Sequence, residues 1–155
     1  FLSAPELVHW HFNLSHTETG VAIAISYGTP VGVDIEWMKS DRELVSLAER
    51  FFAPPEAAAL RAMPEDQQQV GFYRLWTYKE AVLKATGSGI TEELEKWIFE
   101  DHRDHMKLVT APSAIDCQSW SFFHQKLPGL HSMLTAAIAS PEVRFNLLRT
   151  TDSVS

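Results

Sequence analysis

The chain of 155 residues is long enough to form one domain with a buried core. Hydrophobic residues make up 45% and charged residues 21% of the chain, which is typical of a globular protein and excludes a disordered one. The 13 basic and 20 acidic side chains give a net charge of −7, and there is neither a block of Lys and Arg nor an apolar run of membrane-spanning length, so we expect no nucleic-acid and no membrane partner.

Three strands are predicted near the start of the chain, after a connector over residues 1–7. Apolar and polar residues alternate over residues 8–16, which predicts a half-buried strand. The apolar residues on one face of this strand are Val8, Trp10, Phe12 and Leu14. Two further strands follow over residues 21–26 and Val31–Trp37. Because only short turns join the three strands, we expect them to pair antiparallel.

Three helices are predicted next. Helical spacing of apolar residues over 44–51 predicts the first, with Ser40 or Asp41 as its cap. Two consecutive prolines predict the start of the second helix, over residues 54–62, because proline is tolerated in a first helical turn. The third helix is predicted over residues 64–86, with two acidic residues at its start.

Strand patterns return in the last third of the chain, over residues 106–110, 117–125 and 133–139. Residues 126–129 are a predicted turn, and residues 143–148 are compatible with a final strand. Strands, then helices, then strands again predict an antiparallel sheet packed on helices, an α+β fold.

The single cysteine, Cys117, excludes an intrachain disulfide and is typical of a reducing compartment, so we predict a cytoplasmic protein. We predict one domain over residues 1–150 and a tail over residues 151–155. Since the chain begins with Phe1 and not with methionine, we expect it to be processed, truncated or incomplete.

Two pairs of charged residues are candidates for a functional site. Glu80 and Lys84 lie four residues apart on the long predicted helix, so they share one helix face. Asp34 and Glu36 lie two apart on a predicted strand and share one strand face. Each pair alone is typical of a solvated face or a surface ion pair. If the pairs converge, three carboxylates require a cation, and hard oxygen ligands favour Mg²⁺, with Lys84 and His16 available for phosphate charge.

Three segments combine these residues into a larger pattern. They are Phe12-Asn13-Leu14-Ser15-His16, Val31-Gly32-Val33-Asp34-Ile35-Glu36, and Trp76-Thr77-Tyr78-Lys79-Glu80-Ala81-Val82-Leu83-Lys84 followed by Ala85-Thr86-Gly87-Ser88-Gly89. In this order they resemble the Asn-Leu-Ser-His segment, the Gly-Val/Ile-Asp strand and the Trp-x-x-Lys-Glu-Ala-x-x-Lys helix of the 4′-phosphopantetheinyl transferase superfamily. The resemblance extends from about residue 9 to Gly89, and beyond it only the strand pattern agrees.

The resemblance implies a 4′-phosphopantetheinyl transferase-like fold that is one half of a pseudo-dimer. Members of the surfactin-synthetase-activating type contain two similar halves, and this chain is too short for both. The missing half would supply part of the coenzyme A site, including basic residues. The homotrimeric holo-acyl-carrier-protein synthase type is a shorter alternative that builds its sites between subunits. Carrier proteins usually present acidic surfaces, so this acidic chain alone would not steer towards them.

The resemblance also implies an activity. The family transfers the phosphopantetheine arm of coenzyme A to a serine of an acyl, peptidyl or polyketide carrier protein, depends on Mg²⁺, and releases 3′,5′-adenosine bisphosphate. Two other interpretations remain open. One is a non-catalytic module that binds coenzyme A or a carrier protein, and the other is a structural α+β domain whose charged residues form surface ion pairs.

Residue roles follow from the same resemblance. It implies Asp34 and Glu80 as Mg²⁺ ligands, with Glu36 as a third ligand, directly or through water. Glu80 would also help to deprotonate the serine, and Lys84 would stabilise or protonate the leaving phosphate. Ser15 and His16 would hold phosphates of coenzyme A. Trp76 is interpreted as packing that fixes the helix, and Lys79 receives no role.

Overall fold

The computed structural model describes residues 9–40, 43–88, 93–112 and 115–150. Within these ranges the strands are β1 Trp10–His16, β2 Val21–Tyr27, β3 Val31–Trp37, β4 Ile98–His102, β5 His105–Thr110, β6 Ser121–Leu127 and β7 Ser132–Ile138. The α-helices are α1 Leu44–Phe51, α2 Pro54–Ala62 and α3 Glu65–Thr86. Short 3-10 turns lie at Leu94–Lys96, Cys117–Ser119 and Pro128–Leu130. The predicted connector and tail lie outside the described residues.

The central sheet contains three antiparallel strands in the order β3-β7-β6. Helix α3 packs across one face of this sheet, against β3 and β7. The hairpins β1-β2 and β4-β5 form two further sheets of two strands each. The predicted α+β class, an antiparallel sheet packed on helices, is confirmed. None of the helices in the described ranges is long and apolar enough to cross a membrane.

Helix α3 has the bounds that its local signals predict. It begins directly after Pro64, and two acidic residues lie in its first turn, where the helix dipole favours negative charge. It ends at Gly87, whose backbone adopts a left-handed conformation with φ of 70° and donates its N–H to the carbonyl oxygen of Leu83. Glycine adopts this conformation without the steric cost of a side chain, so the stop is encoded locally.

Gly32 allows α3 to lie directly on β3. A Cβ atom at this position would overlap the carbonyl oxygen of Ala81 and lie 2.5 Å from the amide nitrogen of Ala85. Any side chain would therefore separate the helix from the strand. Because side chains two residues apart on a strand share a face, Asp34 and Glu36 lie on the face of β3 that carries the helix.

The hairpin β1-β2 reverses the expected burial of its first strand. The predicted strand is present, but its apolar residues are exposed, and Phe12 is 78% exposed. The polar residues Asn13 and Ser15 instead face β3, where their side chains accept hydrogen bonds from its backbone. The outer surface of the hairpin is consequently apolar, and its large exposed side chains are Trp10, Phe12, Leu14, Val21, Ile23, Ile25 and Tyr27. Val8 lies outside the described residues.

Two strand predictions were wrong, and a third was right only in part. The expected pairing of β2 with β3 does not occur, because β3 pairs with β7 and its backbone meets side chains of β1 on the other side. Residues 143–148 form no strand, although Phe145 packs on the outer face of the sheet. The predicted strand over residues 117–125 is a 3-10 turn followed by β6. Strand β4, at Ile98–His102, was not predicted.

The first helix differs from its prediction only at the N-cap residue. Helix α1 begins at Leu44 and its N-cap residue is Glu43, which makes no capping hydrogen bond through its side chain. The predicted cap at Ser40 is therefore wrong, and Asp41 lies outside the described residues. Helix α2 has the predicted bounds, with prolines in its first turn.

Candidate active site

Strand β3 and helix α3 bring a carboxylate and an ammonium into direct contact. The Lys84 ammonium donates to Oδ1 of Asp34 over 2.7 Å, and Asp34 is only 3% exposed. Lys84 also donates to the carbonyl oxygen of Val33 over 3.2 Å. The interpretation of Asp34 as part of a solvated strand face is therefore wrong. Asp34, on β3, is the carboxylate that Lys84 contacts directly.

Glu80 is the second buried carboxylate of this site. It lies on α3 one turn before Lys84 and is only 5% exposed. The pKa of Glu80 is raised to about 7, first by burial and then by the negative charges of Asp34 and Glu36, while the Lys84 ammonium opposes the shift. Asp34, Glu36 and Lys84 therefore all lie close enough to Glu80 to shift its pKa, so the two charged pairs that the sequence marks form one site.

Two buried oxygens of the site, Oδ2 of Asp34 and Oε1 of Glu80, have no hydrogen-bond partner among the described residues. Buried polar atoms in native proteins are nearly always partnered, so these two carboxylate oxygens are candidate ligands for a cation. Burial also raises the pKa of Asp34, against the lowering effects of Lys84 and Ser15. A bound cation would offset the cost of burying both charged carboxylates, and it would offset the repulsion from Asp34 and Glu36 that further raises the pKa of Glu80.

The carboxylate oxygens of Asp34 and Glu80 fit Mg²⁺ better than they fit a metal whose ligands all come from the protein. Among the residues that the structure describes, no three His, Cys, Asp or Glu side chains form a metal site by themselves. Mg²⁺ does not require such a site, because it is usually held by one or two carboxylates and completes its shell with water and substrate phosphates. Asp34 and Glu80 meet that requirement.

Trp76 supports the third acidic residue. Its indole N–H donates to Oε1 of Glu36 over 3.2 Å. The same ring stacks on Phe72 and contacts Phe51 edge-on, so its position is set by the helical core. Sequence reasoning assigned Trp76 to packing alone, and the structure adds a direct contact with a predicted metal ligand.

Glu36 borders an open cavity of about 290 Å³. Its lining residues are His16, Thr17, Glu18, Glu36, Trp37, Lys39 and Tyr73. The exposed His16 therefore lies beside the carboxylate site, where a ligand can reach it. Lys39 adds a second basic side chain that sequence reasoning missed, since no local pattern marks a lone lysine after a strand.

Ser15 lies inside the site and not in the cavity. Its hydroxyl accepts a hydrogen bond from the Ile35 N–H over 3.1 Å and donates to Oδ1 of Asp34 over 3.2 Å. The Lys84 ammonium is a further donor, 3.3 Å from the same hydroxyl oxygen. The two neighbouring residues that were predicted to hold phosphates thus point to different surroundings.

Lys79 lies outside the site. Its ammonium is fully buried, lies 2.7 Å from Oε2 of Glu56, and donates to the carbonyl oxygens of Leu94 and Trp97. Glu56 in turn accepts from two backbone N–H groups, one of them in β4. This buried ion pair ties α2, α3 and the segment before β4 together.

The fold is that of a class of solved carrier-protein synthases. The holo-(acyl-carrier-protein) synthase of Bacillus anthracis, solved in complex with CoA, matches with a TM-score of 0.57 and 18% identity over 71% of this chain and 94% of that one. The synthase of Thermotoga maritima matches with a TM-score of 0.56 and 14% identity over 74% of this chain and 64% of that one. At these identities the likeness concerns the fold alone.

The sequence matches at the level of a family. The sequence model of the 4′-phosphopantetheinyl transferase superfamily matches residues 30–139, and the chain belongs to that superfamily. The transferase HetI of Nostoc is 44% identical over 102 residues, which cover 66% of this chain and 43% of the relative. The transferase Sfp of Bacillus subtilis is 34% identical over 110 residues, which cover 71% of this chain and 48% of the relative. The matched region is thus less than half the length of these relatives.

Proposed function

We propose that this chain is the catalytic part of a 4′-phosphopantetheinyl transferase. The reaction moves the phosphopantetheine arm of coenzyme A to a serine of an acyl, peptidyl or polyketide carrier protein and releases 3′,5′-adenosine bisphosphate. The observation that carries this proposal is the pair of buried oxygens on Asp34 and Glu80, beside Lys84, that have no hydrogen-bond partner in the part of the chain that the structure describes. Support also comes from the transferase names of the relatives and from the complex of the Bacillus anthracis synthase with CoA.

Asp34 and Glu80 are the residues that would hold Mg²⁺, with Glu36 contributing through a water. When bound, this ion would neutralise charge on the pyrophosphate of coenzyme A. Trp76 orients the Glu36 carboxylate through its hydrogen bond to Oε1. Asp34 is held by Lys84 and Ser15 through Oδ1.

Glu80 is the candidate base. In the reaction the serine oxygen forms a bond to the β-phosphorus, the bond from that phosphorus to the bridging oxygen breaks, and the serine proton must leave. The Glu80 carboxylate, which is ionised when it holds the cation, would help to remove this proton through a water. Lys84, which is partly exposed, supplies positive charge for the leaving phosphate.

His16 is the candidate contact for a phosphate of coenzyme A. It is exposed and lines the cavity that Glu36 borders, so an anion in the cavity would lie beside His16. Lys39 lines the same cavity and adds positive charge there. A cytoplasmic location is consistent with these small-molecule and carrier-protein substrates.

Mass spectrometry of an apo carrier protein tests the proposal. After incubation with this chain, coenzyme A and Mg²⁺, we expect the carrier to gain the mass of phosphopantetheine, and a chelator to abolish the gain. Glu80→Gln should lower the rate at least about 100-fold. Glu65→Gln, at an exposed position in the first turn of the same helix, is the matched control and should retain the rate.

The remaining outcomes separate the alternatives. A gain obtained only with a longer chain that restores the length of the relatives would show that this chain is one part of the catalyst. Equilibrium binding of coenzyme A without transfer in either case would support the binding module. A wild-type rate in Glu80→Gln would reject the assignment of Glu80.

A further inference from the structure

Three side chains outside the proposed active site form a continuous chain of hydrogen bonds from strand β6 to helix α3. Nδ1 of His124 lies 2.8 Å from Oγ1 of Thr135. The Thr135 hydroxyl donates to Oγ1 of Thr77 over 2.8 Å, and the Thr77 hydroxyl donates to the carbonyl oxygen of Arg74 over 3.0 Å. Both threonines are fully buried, so water does not compete for these hydrogen bonds.

The directions of these hydrogen bonds fix the tautomer of His124. A hydroxyl carries one hydrogen, so it can donate only once. The Thr77 hydrogen is used by the Arg74 carbonyl oxygen, and the Thr135 hydrogen is used by Thr77. Nδ1 of His124 must therefore donate to Thr135. Burial, and then the positive charge of Arg74, lower the pKa of His124 to about 4, so the ring is neutral near pH 7, with its hydrogen on Nδ1 and a lone pair on Nε2.

The chain of hydrogen bonds attaches α3 to the middle strand of the central sheet. Thr135 is the register partner of Asp34 on β3 and of His124 on β6. Because residues directly opposite each other on antiparallel strands share a face, these three side chains form one row across the sheet, on the side of the helix. The middle of the row contacts Thr77, and Asp34 at one end contacts Lys84.

Two polar contacts therefore bracket Glu80 on the helix. Thr77 lies three residues before Glu80 and Lys84 four residues after it, which is about one helical turn on either side. A helix held at both points cannot slide along the sheet without breaking one of these hydrogen bonds. Breaking the contact of Thr77 leaves a buried hydroxyl without its partner, which costs free energy.

We propose that His124 is a positioning residue, which as the neutral Nδ1–H tautomer directs the two threonine hydroxyls and thereby fixes Glu80 over the sheet. In the opposite tautomer Thr135 would have to donate to Nδ1 of His124. The single hydrogen of Thr77 would then serve either Thr135 or the Arg74 carbonyl oxygen, and one of the three hydrogen bonds would be lost. The inference rests on the proposed function for the role of Glu80 alone, because the tautomer follows from the hydrogen bonds.

Nitrogen-15 NMR of the histidine side chains tests the tautomer in the whole chain, without metal or substrate. Long-range proton–nitrogen spectra near neutral pH distinguish a protonated ring nitrogen from an unprotonated one, and the signals that vanish in His124→Asn belong to His124. We expect a protonated Nδ1 and an unprotonated Nε2. Free histidine in water favours hydrogen on Nε2, so that form, or an average of both forms, would overturn the proposal.

Two amide variants test the positioning role, with Mn²⁺ standing in for Mg²⁺ as a probe of the carboxylate pair. Asparagine places an amide N–H near the position of Nδ1, whereas glutamine places it near the position of Nε2. Measured by the loss of the free Mn²⁺ paramagnetic resonance signal, His124→Gln should weaken binding about fivefold, less than the effect of removing a direct partner of a metal ligand. His124→Asn keeps a donor for Thr135 and should remain within about twofold of the wild type.

Ser121→Ala is the matched control on the same strand, because it removes a side-chain hydrogen bond to the Ser140 carbonyl oxygen. It should lower the melting temperature about as much as His124→Gln does and keep Mn²⁺ affinity within about twofold of the wild type. Equal Mn²⁺ affinities in His124→Asn and His124→Gln would overturn the positioning role, and so would an equal loss in Ser121→Ala. A wild-type chain that shows the Nδ1–H tautomer but binds no Mn²⁺ would instead reject the metal site of the proposed function, and with it the role of Glu80.

Discussion

The Lys84 ammonium lies 2.7 Å from Oδ1 of Asp34, although the two residues are 50 positions apart and belong to different elements. The contact joins the long helix to the edge strand of the central sheet. It also places the positive charge of Lys84 on Oδ1 of Asp34, whereas Oδ2 has no hydrogen-bond partner among the described residues.

Removing Lys84 should destabilise the fold. In Lys84→Met the buried Asp34 carboxylate loses the charged partner in direct contact with it, and breaking such a pair typically costs about 3 kcal/mol or more, reduced somewhat here because Lys84 is partly exposed. We expect the free energy of unfolding, measured in urea without metal, to fall by about 2–3 kcal/mol. Lys96→Met breaks the more exposed pair with Glu93 and should change it by less than about 0.5 kcal/mol.

Glu80 should make the metal-free protein less stable as the pH rises. Its pKa is 4.5 in the unfolded reference and about 7 in the folded chain, so between these values the folded state retains a proton that the unfolded state has lost. The contribution of Glu80 to stability is therefore present below pH 4.5 and is lost as the pH rises to about 7.

Melting temperatures measured from about pH 5 to 8 in the presence of a chelator test whether stability falls as the pH rises. The wild type should lose stability relative to Glu80→Gln across that window, and added Mg²⁺ should restore the wild type alone at its upper end. A constant difference between the two proteins over the window would contradict the raised pKa of Glu80.

A side chain at Gly32 should separate the two elements that form the site. Gly32→Ala places a methyl group against the Ala81 carbonyl oxygen and 2.5 Å from the Ala85 amide nitrogen, and neither backbone can move without disturbing the core. We expect a loss of about 3 kcal/mol in the free energy of unfolding, together with weaker Mn²⁺ binding in the folded fraction. Gly129→Ala has no atom within 4 Å of the new methyl group and serves as the control, with little change expected in either quantity.

Lys79 should contribute to the stability of the fold and not to metal binding. Lys79→Met leaves Glu56 buried without its charged partner, and the free energy of unfolding should fall by about 3–5 kcal/mol. The double variant Lys79→Met with Glu56→Gln should lose less than the sum of the two single variants, because the residues act as one unit. A full loss of Mn²⁺ binding in folded Lys79→Met would instead place Lys79 in the site.

Several features of the fold could be predicted because their causes are local. Helix α3 is marked by a proline before it and a glycine after it, and both act on neighbouring backbone groups. Helix α2 is marked in the same way by its prolines. The strand pattern of β1 was also visible, although the side that it buries was not, because alternation alone does not say which face meets the sheet.

The candidate site was predicted as a set of residues but not as an arrangement. The spacing of Asp34 with Glu36, and of Glu80 with Lys84, marks the faces that carry charge. The spacing of residues in the sequence does not predict the inward position of Ser15 or the hydrogen bond from Trp76 to Glu36. It also does not predict the ion pair of Lys79 with Glu56, because these residues lie on different helices.

The sequence by itself therefore determined the helices, the charged residue types and the membership of the superfamily, since capping, periodicity and motif order are properties of neighbouring residues. Only the tertiary structure decided that β3 pairs with β7, that Asp34 is buried beside Lys84, and that one of its oxygens is left without a partner among the described residues. These features depend on which distant elements pack together and exclude water. Burial raises the free-energy cost of a charged group, so the group then requires a partner of opposite charge or a hydrogen-bond donor.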